Sequence, residues 1–229
     1  MKIYKDVNLK LQIYILKKIL PQYKQLDAAH NKKHIKYVIS RSVKIAKFYG
    51  QDVNMAYCIA AFHDIGMLYG RKQHELRGAD IIANDNEIKK LFNLDQMKKM
   101  MAAIKEHRAS YKGSYTSIYS QIISQADRSF DINLMVERSL KFGIAYFPDY
   151  SYEQHFQRTY KYLKQKYGRE GYVHMVLDYM PDLQRIEKIQ KIIEDRKAFR
   201  LIFDSCYYSI ISSTTALHSS NWKKYKCFK

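Results

Sequence analysis

The chain is poor in the residues that make turns. Its 229 residues include only eight glycines and three prolines. A β-sandwich or barrel needs a Gly- or Pro-marked turn about every ten residues, so those architectures are excluded. Collagen-like and low-complexity linker sequences are excluded as well. Cysteine is scarce: Cys58, Cys206 and Cys227 are scattered and form no CxxC pair. That fits a reducing compartment and argues against a thiolate metal site. No apolar run reaches the roughly 18 residues of a membrane span. Residues 1–20 interleave Lys10, Gln12, Lys17 and Lys18 with apolar positions, unlike the unbroken core of a signal peptide. A cytoplasmic protein with no membrane partner is expected.

Acids are also few. Twenty-two Asp and Glu face forty Lys and Arg, a formal charge of +18. A field of that sign attracts anions, which fits a phosphorylated small molecule or nucleic acid. The remaining composition, 47% apolar and 27% charged, is that of a globular chain. A chain of this length buries about 70% of its unfolded surface and needs no disulfide to fold.

Helical periodicity dominates. Apolar spacing predicts helices over 7–20 (stopped by Pro21), 32–49, 53–63, 74–83, 87–91, 95–107, 115–130, 133–141, 152–167 and 182–203. Gly50 stands where a C-terminal cap glycine belongs, and Asp52 can cap the helix that follows. Residues 53–63 are apolar on nearly every side, which marks a buried helix. No repeat, strand pattern or linker interrupts the chain. The expected fold is all-α: one helical domain over 1–205, followed by a loosely attached basic tail over 206–229 that is dispensable for catalysis, so that a chain ending near Phe203 keeps folding and turnover.

The buried helix runs into Phe62-His63-Asp64-Ile65-Gly66. Two polar side chains at its mouth need partners, and a metal is one way to supply them. The other is a helix end capped by His63. Helices 32–49 and 53–63 must pack antiparallel, which brings His34 beside His63. Asp127 is a lone acid in the apolar stretch Gln121–Arg128, to be satisfied by a metal or by a neighbouring cation.

His34, His63-Asp64 and Asp127, in that order, resemble the H…HD…D signature of the HD-domain metal-dependent phosphohydrolase superfamily. The match extends to Asp27-Ala-Ala-His30-Asn-Lys-Lys-His34-Ile35, similar to the DxxHxxxHI opening of a group of small bacterial HD-domain hydrolases. It also covers Ala60–Gly66, Ala103–Ser110, Ser117–Tyr119 and Ala126–Arg128. Tyr37 departs from that group's HIxRV motif by occupying its Arg position. The resemblance spans roughly residues 1–195. It implies an HD-type helical bundle with added C-terminal helices, and a divalent ion (Mn, Fe, Ni, Co, Zn or Mg) on His34, His63, Asp64 and Asp127. His74 and His107 stand where some branches hold a second ion.

The implied reaction is hydrolysis of a phosphate ester or anhydride, a nucleotide being the favoured substrate. Asp64 is the expected proton acceptor, and His30 a substrate contact or a support for the ligands. Arg108 is the preferred phosphate clamp among Arg71, Lys72, Arg77 and Arg108. The alternatives are a nucleic-acid phosphodiesterase and a non-catalytic nucleotide-sensing module. Two tyrosine-rich stretches, Tyr146/Tyr150/Tyr152 and Tyr160/Tyr162/Tyr167, are expected to serve the core or a groove, with a nucleic-acid stacking stripe as the less favoured reading.

Overall fold

A computed structural model describes residues 3–26, 30 and 32–224, with side chains described as far as 212. Among the described residues there are eleven α-helices and no strand. None of the helices is long and apolar enough to cross a membrane. The helices are α1 Leu9–Tyr14, α2 Lys32–Phe48, α3 Val53–Phe62, α4 His74–Asn84, α5 Asn86–Lys89, α6 Leu94–Glu106, α7 Ile118–Ala126, α8 Ile132–Tyr146, α9 Tyr152–Tyr167, α10 Met180–Glu194 and α11 Arg196–Lys224. They divide between two compact units. The first comprises residues 1–128 with 176–179, and the second comprises 129–175 with 180–229.

The first unit is built around α3. Every side chain from Met55 to Phe62 is buried, as its all-round apolarity requires. Helices α2, α4, α6 and α7 all pack on it. Gly50, at φ 63°, ends α2 in the left-handed conformation that glycine adopts at no steric cost. The Gln51 N–H donates to the Ala46 carbonyl, and the Asp52 carboxylate accepts from the Asn54 N–H to open α3. This tight connection makes α2 and α3 antiparallel neighbours. Pro21 does not stop the first helical segment. The chain relaxes from α1 into a π-turn over Ile15–Ile19 and then a 3-10 turn over Leu20–Gln25, where Pro21 lies in the opening turn and its missing N–H is not needed. Tyr23 anchors the segment by donating to the Ala61 carbonyl of α3.

After α3 the chain makes a 3-10 turn, Ile65–Tyr69, against which α4 packs backbone to backbone. A Cβ on Gly66 would stand 2.0 Å from the His74 carbonyl oxygen and 2.8 Å from the Gly78 nitrogen. The glycine is therefore required by proximity. The segment 176–179 returns to this unit, where the Val176 and Leu177 N–H groups donate to the buried Gln125 side chain.

In the second unit, α8, α9, α10 and α11 enclose a separate core containing Leu140, Phe156, Leu163, Ile193, Phe199 and Phe203. The helix expected over 182–203 is two helices. Asp195 breaks it by accepting from the Lys197 and Ala198 N–H groups and so capping α11. Where a loose tail was expected from 206, α11 runs on to Lys224. Cys206, Tyr207 and Ile210 pack against the core, and Tyr207 stacks on Phe203 at 5.8 Å. These partly buried side chains tie the first turns of α11 beyond Phe203 to the core. Residues 225–229 lie outside the described residues.

Two stability predictions follow from this packing. Gly66→Ala should lower the urea midpoint by the equivalent of about 1–3 kcal/mol, the usual cost of overpacking. Ending the chain at Phe203 should also lower the midpoint, because it uncovers the face that Tyr207 and Ile210 occupy. An unchanged unfolding curve for either variant would contradict the packing described.

Candidate metal centre

Six chemistry-bearing side chains converge in the first unit, each from near a helix end. His34 lies in the first turn of α2, and His74 is the first residue of α4. His63, His107 and Asp127 are the residues that close α3, α6 and α7. Asp64 follows His63 directly. Gln73, just before His74, is the one non-glycine residue at positive φ (57°) among the described residues. A left-handed residue of this kind costs roughly 1–2 kcal/mol, and here it sets the entry of α4 immediately before His74.

Asp64 organises the cluster. Its Oδ2 lies 3.2 Å from His63 Nε2 and 3.6 Å from His34 Nε2. Its Oδ1 lies 3.3 Å from His74 Nε2 and 3.6 Å from His107 Nε2. One carboxylate thus presents one oxygen to each of two histidine pairs. Asp127 Oδ1 completes the first pair, 3.0 Å from His34 Nε2 and 3.6 Å from His63 Nε2. His63 and Asp64 are almost wholly buried, whereas the Asp127 side chain is 27% exposed and faces the open side.

The backbone dictates which ring nitrogens face inward. His63 Nδ1 donates to the Ala60 carbonyl (2.9 Å), His74 Nδ1 to the Arg71 carbonyl (3.0 Å) and His107 Nδ1 to the Ile104 carbonyl (2.7 Å). A carbonyl only accepts, so each Nδ1 carries hydrogen, and a neutral ring then presents a lone pair at Nε2. Those lone pairs point at carboxylate oxygens. His74 and His107 also point at each other, their Nε2 atoms 3.4 Å apart. Acceptors facing acceptors in a buried site need a cation between them. It can be a proton, carried by one ring and donated to the other, or a metal ion.

The donor set fits that ion. Three groups, His34/His63/Asp64, His63/His107/Asp127 and Asp64/His74/His107, each place their ligand atoms within 4.8 Å of one another. Imidazole with carboxylate suits Mn, Fe, Co, Ni or Zn. With no ion considered, burial disfavours charge on His63, but Asp64 and Asp127 outweigh it and hold its pKa well above the ordinary histidine value. His34 and His74 are raised in the same way, against burial, by Asp127 and Asp64 for the one and by Asp64 for the other. Burial would raise the two carboxyl groups, yet the imidazoles hold both well below the carboxylate range.

The other expected site residues fare differently. The His30 ring lies 6.1 Å from that of His34, at the rim and outside the three groups. Asp27 lies outside the described residues. Arg77 is turned to structure, donating to the Gly70 and Lys72 carbonyls. Arg108 is half-exposed and bonded to Glu75 at 3.2 Å, and Glu75 itself stands 3.3 Å from His74 Nδ1. Arg108 therefore braces the neighbour of a candidate ligand. Arg71 and Lys72 are exposed.

One residue was missed. Arg41, buried on α2, donates through Nε to the Ala126 carbonyl and through Nη2 to the Gln125 carbonyl, both at 3.1 Å. It caps the end of α7 just before Asp127. Tyr37, which stands in the motif's Arg position, lies under this guanidinium at 5.5 Å. The arginine is present one turn later on the same helix. Its place in the apolar stripe between Val38 and Ile45 was the available signal.

Two measurements test the centre. Raised histidine pKa values mean that the metal-free site keeps its protons to higher pH, so binding must displace them. Titration of Mn²⁺ by calorimetry in buffers of different ionisation enthalpy should show proton release that is larger at pH 6 than at pH 8, with weaker apparent affinity at pH 6. Arg41→Met should weaken Mn²⁺ binding about tenfold or more, the usual loss when a support of a metal ligand is removed.

Residues 32–129 match the family model of the HD domain. No curated protein and no solved structure matches the chain. The chain carries an HD domain over these residues, and this segment contains all six converging side chains.

Proposed function

We propose that this HD-domain chain hydrolyses a phosphate ester or anhydride, a nucleotide being the favoured substrate. HD domains form a superfamily of metal-dependent phosphohydrolases, and the all-α fold agrees with membership. The observation that carries the reading is Asp64, which offers one oxygen to the His34–His63 pair and the other to the His74–His107 pair. That arrangement supports one ion on His34, His63, Asp64 and Asp127, and a second on Asp64, His74 and His107.

The chemistry supplied by divalent ions when bound is activation of water near neutral pH and polarisation of a phosphoryl oxygen. The protein's own groups do the positioning. Asp64 and Asp127 fix charge at the centre, while the buried imidazoles exclude bulk water from all but the Asp127 side. Asp64 is the expected proton acceptor, but both its oxygens are engaged and its carboxyl is held far below the usual range. It is better suited as ligand and bridge. His30, whose ring lies 6.1 Å from that of His34, is then our candidate to take a proton from the attacking water, beside its expected roles as substrate contact or ligand support.

A panel of phosphomonoesters, phosphodiesters and nucleoside triphosphates, assayed with Mn, Mg, Ni, Co or Fe and with a chelator, tests the reading. Chelator-sensitive turnover should appear on at least one class, and Asp64→Asn should abolish both turnover and metal content. His30→Gln should lower kcat by about 10²-fold or more with metal content unchanged. No turnover on any substrate by protein shown to hold its metal would overturn the proposal. Loss of metal in His30→Gln would make His30 a ligand.

A further inference from the structure

The aromatic residues that close α8 form a surface in the second unit that the metal centre does not use. Phe142, Tyr146, Phe147 and Tyr150 are 51, 69, 37 and 39% exposed. Tyr146 and Tyr150 thus stand on the surface, not in the core. The rings are ordered in pairs: Phe142 stacks on Tyr146 at 4.5 Å and Phe147 on Tyr150 at 5.0 Å, each pair inclined by 28°. Four large exposed rings within nine residues make the kind of patch that marks a binding surface.

The patch is braced from beneath. Arg158 of α9 donates to the Ser139 carbonyl and, at 3.1 Å, to Ser139 Oγ. Its guanidinium lies 5.7 Å from the Phe142 ring and 5.9 Å from the Phe147 ring. Gly143 leaves the space, for a Cβ there would meet a guanidinium nitrogen at 2.7 Å. Two buried polar atoms at this floor have no protein partner, Arg158 Nε and His155 Nδ1. His155 is 3% exposed, and its ring lies 5.6 Å from that of Tyr150. Burial, and then Arg158, lower the pKa of His155, so the ring is neutral and Nδ1 can donate or accept.

We propose that this platform binds single-stranded nucleic acid, with successive bases stacked on Phe142, Tyr146, Phe147 and Tyr150. Exposed aromatic faces suit any base, because every base has a π-face. Arg158 Nε and His155 Nδ1 lie buried beneath the rings, so it is the ring faces that would meet the bases. Charge also selects the occupant. Arg138 stands one turn before Phe142 on the stripe 138–142–146, and the chain as a whole carries +18. Of the nearby acids, Glu137 is paired with Lys141 and Glu153 with Arg200, leaving Asp149 as the local opposing charge. A second copy of so basic a chain would be repelled.

The test uses the full chain, free of added metal, and fluorescence anisotropy with a labelled twelve-nucleotide oligo(dT). Duplex of the same length and inorganic polyphosphate serve as competitors. The single strand should bind more tightly than either. Phe142→Ala and Tyr146→Ala should each weaken it about 5- to 150-fold, the measured range for loss of one base–aromatic stack. Phe142→Trp should restore binding, which separates lost stacking from lost folding. Hydrolysis of a small phosphoester should be unaffected by all three substitutions, so failure here and failure of the proposed activity are told apart. Equal binding of polyphosphate, indifference to the ring substitutions, or a dimer that Phe142→Ala dissolves would each overturn the proposal. The last outcome would assign the platform to a second copy of the chain.

Discussion

The first unit is organised around a buried carboxylate that three of its four imidazole neighbours cannot satisfy while neutral. Asp64 is almost wholly enclosed and surrounded by four imidazole Nε2 atoms between 3.2 and 3.6 Å away. Taking an ionised carboxylate out of water costs several kcal/mol even after the protein relaxes. The rings cannot compensate as neutral donors, because in three of them the backbone already holds the Nδ1 hydrogen. What remains is positive charge at the centre of the cluster, and the surrounding helices are arranged to favour it.

Helix ends supply part of that arrangement. The carbonyl termini of α3, α6 and α7 meet at the cluster, and each carries about half a negative charge. They add to Asp64 and Asp127 in drawing a cation inward. The amino termini of α2 and α4, marked by His34 and His74, meet there with the opposite sign, and such termini favour anions such as phosphate. A helical bundle whose helices alternate in direction produces this pairing of poles at one end. The close contact of Gly66 with α4 and the hydrogen bonds of Arg41 to α7 set where two of those ends stand.

The sequence reveals the parts of this centre that depend on local geometry. The short turn at Gly50–Asp52 forces α2 and α3 antiparallel, so the proximity of His34 and His63 can be read from it. The apolar run that ends in His63-Asp64 announces a buried polar pair. The meeting of His74 with His107 depends instead on how α4 and α6 pack, over 33 residues of separation, and periodicity does not encode it. Arg77 and Arg108 read as candidate phosphate clamps because charge is visible in sequence; the carbonyls bonded to Arg77 and the Glu75 bonded to Arg108 are visible only in the structure. The segment after Cys206 reads as a tail because serines and lysines dilute its apolar positions. Phe203, Tyr207 and Ile210 nevertheless fall at three- and four-residue steps, enough for one buried helical stripe.

Charge balance decides how many ions the cluster is suited to hold. One divalent ion on the His34–His63 side only neutralises Asp64 and Asp127. The His74 and His107 lone pairs would then still face each other at 3.4 Å with nothing between them. A second ion held by Asp64, His74 and His107, as proposed, would fill that contact and would leave the centre with net positive charge. Such a centre would attract the proposed phosphate substrate more strongly than a neutral one, and the excess of basic residues over the whole chain acts in the same direction. The contact between the two imidazoles and the electrostatic demand of the proposed phosphate substrate would then be met by the same ion. Asp64, which presents a separate oxygen to each side, is the group that makes both positions compatible.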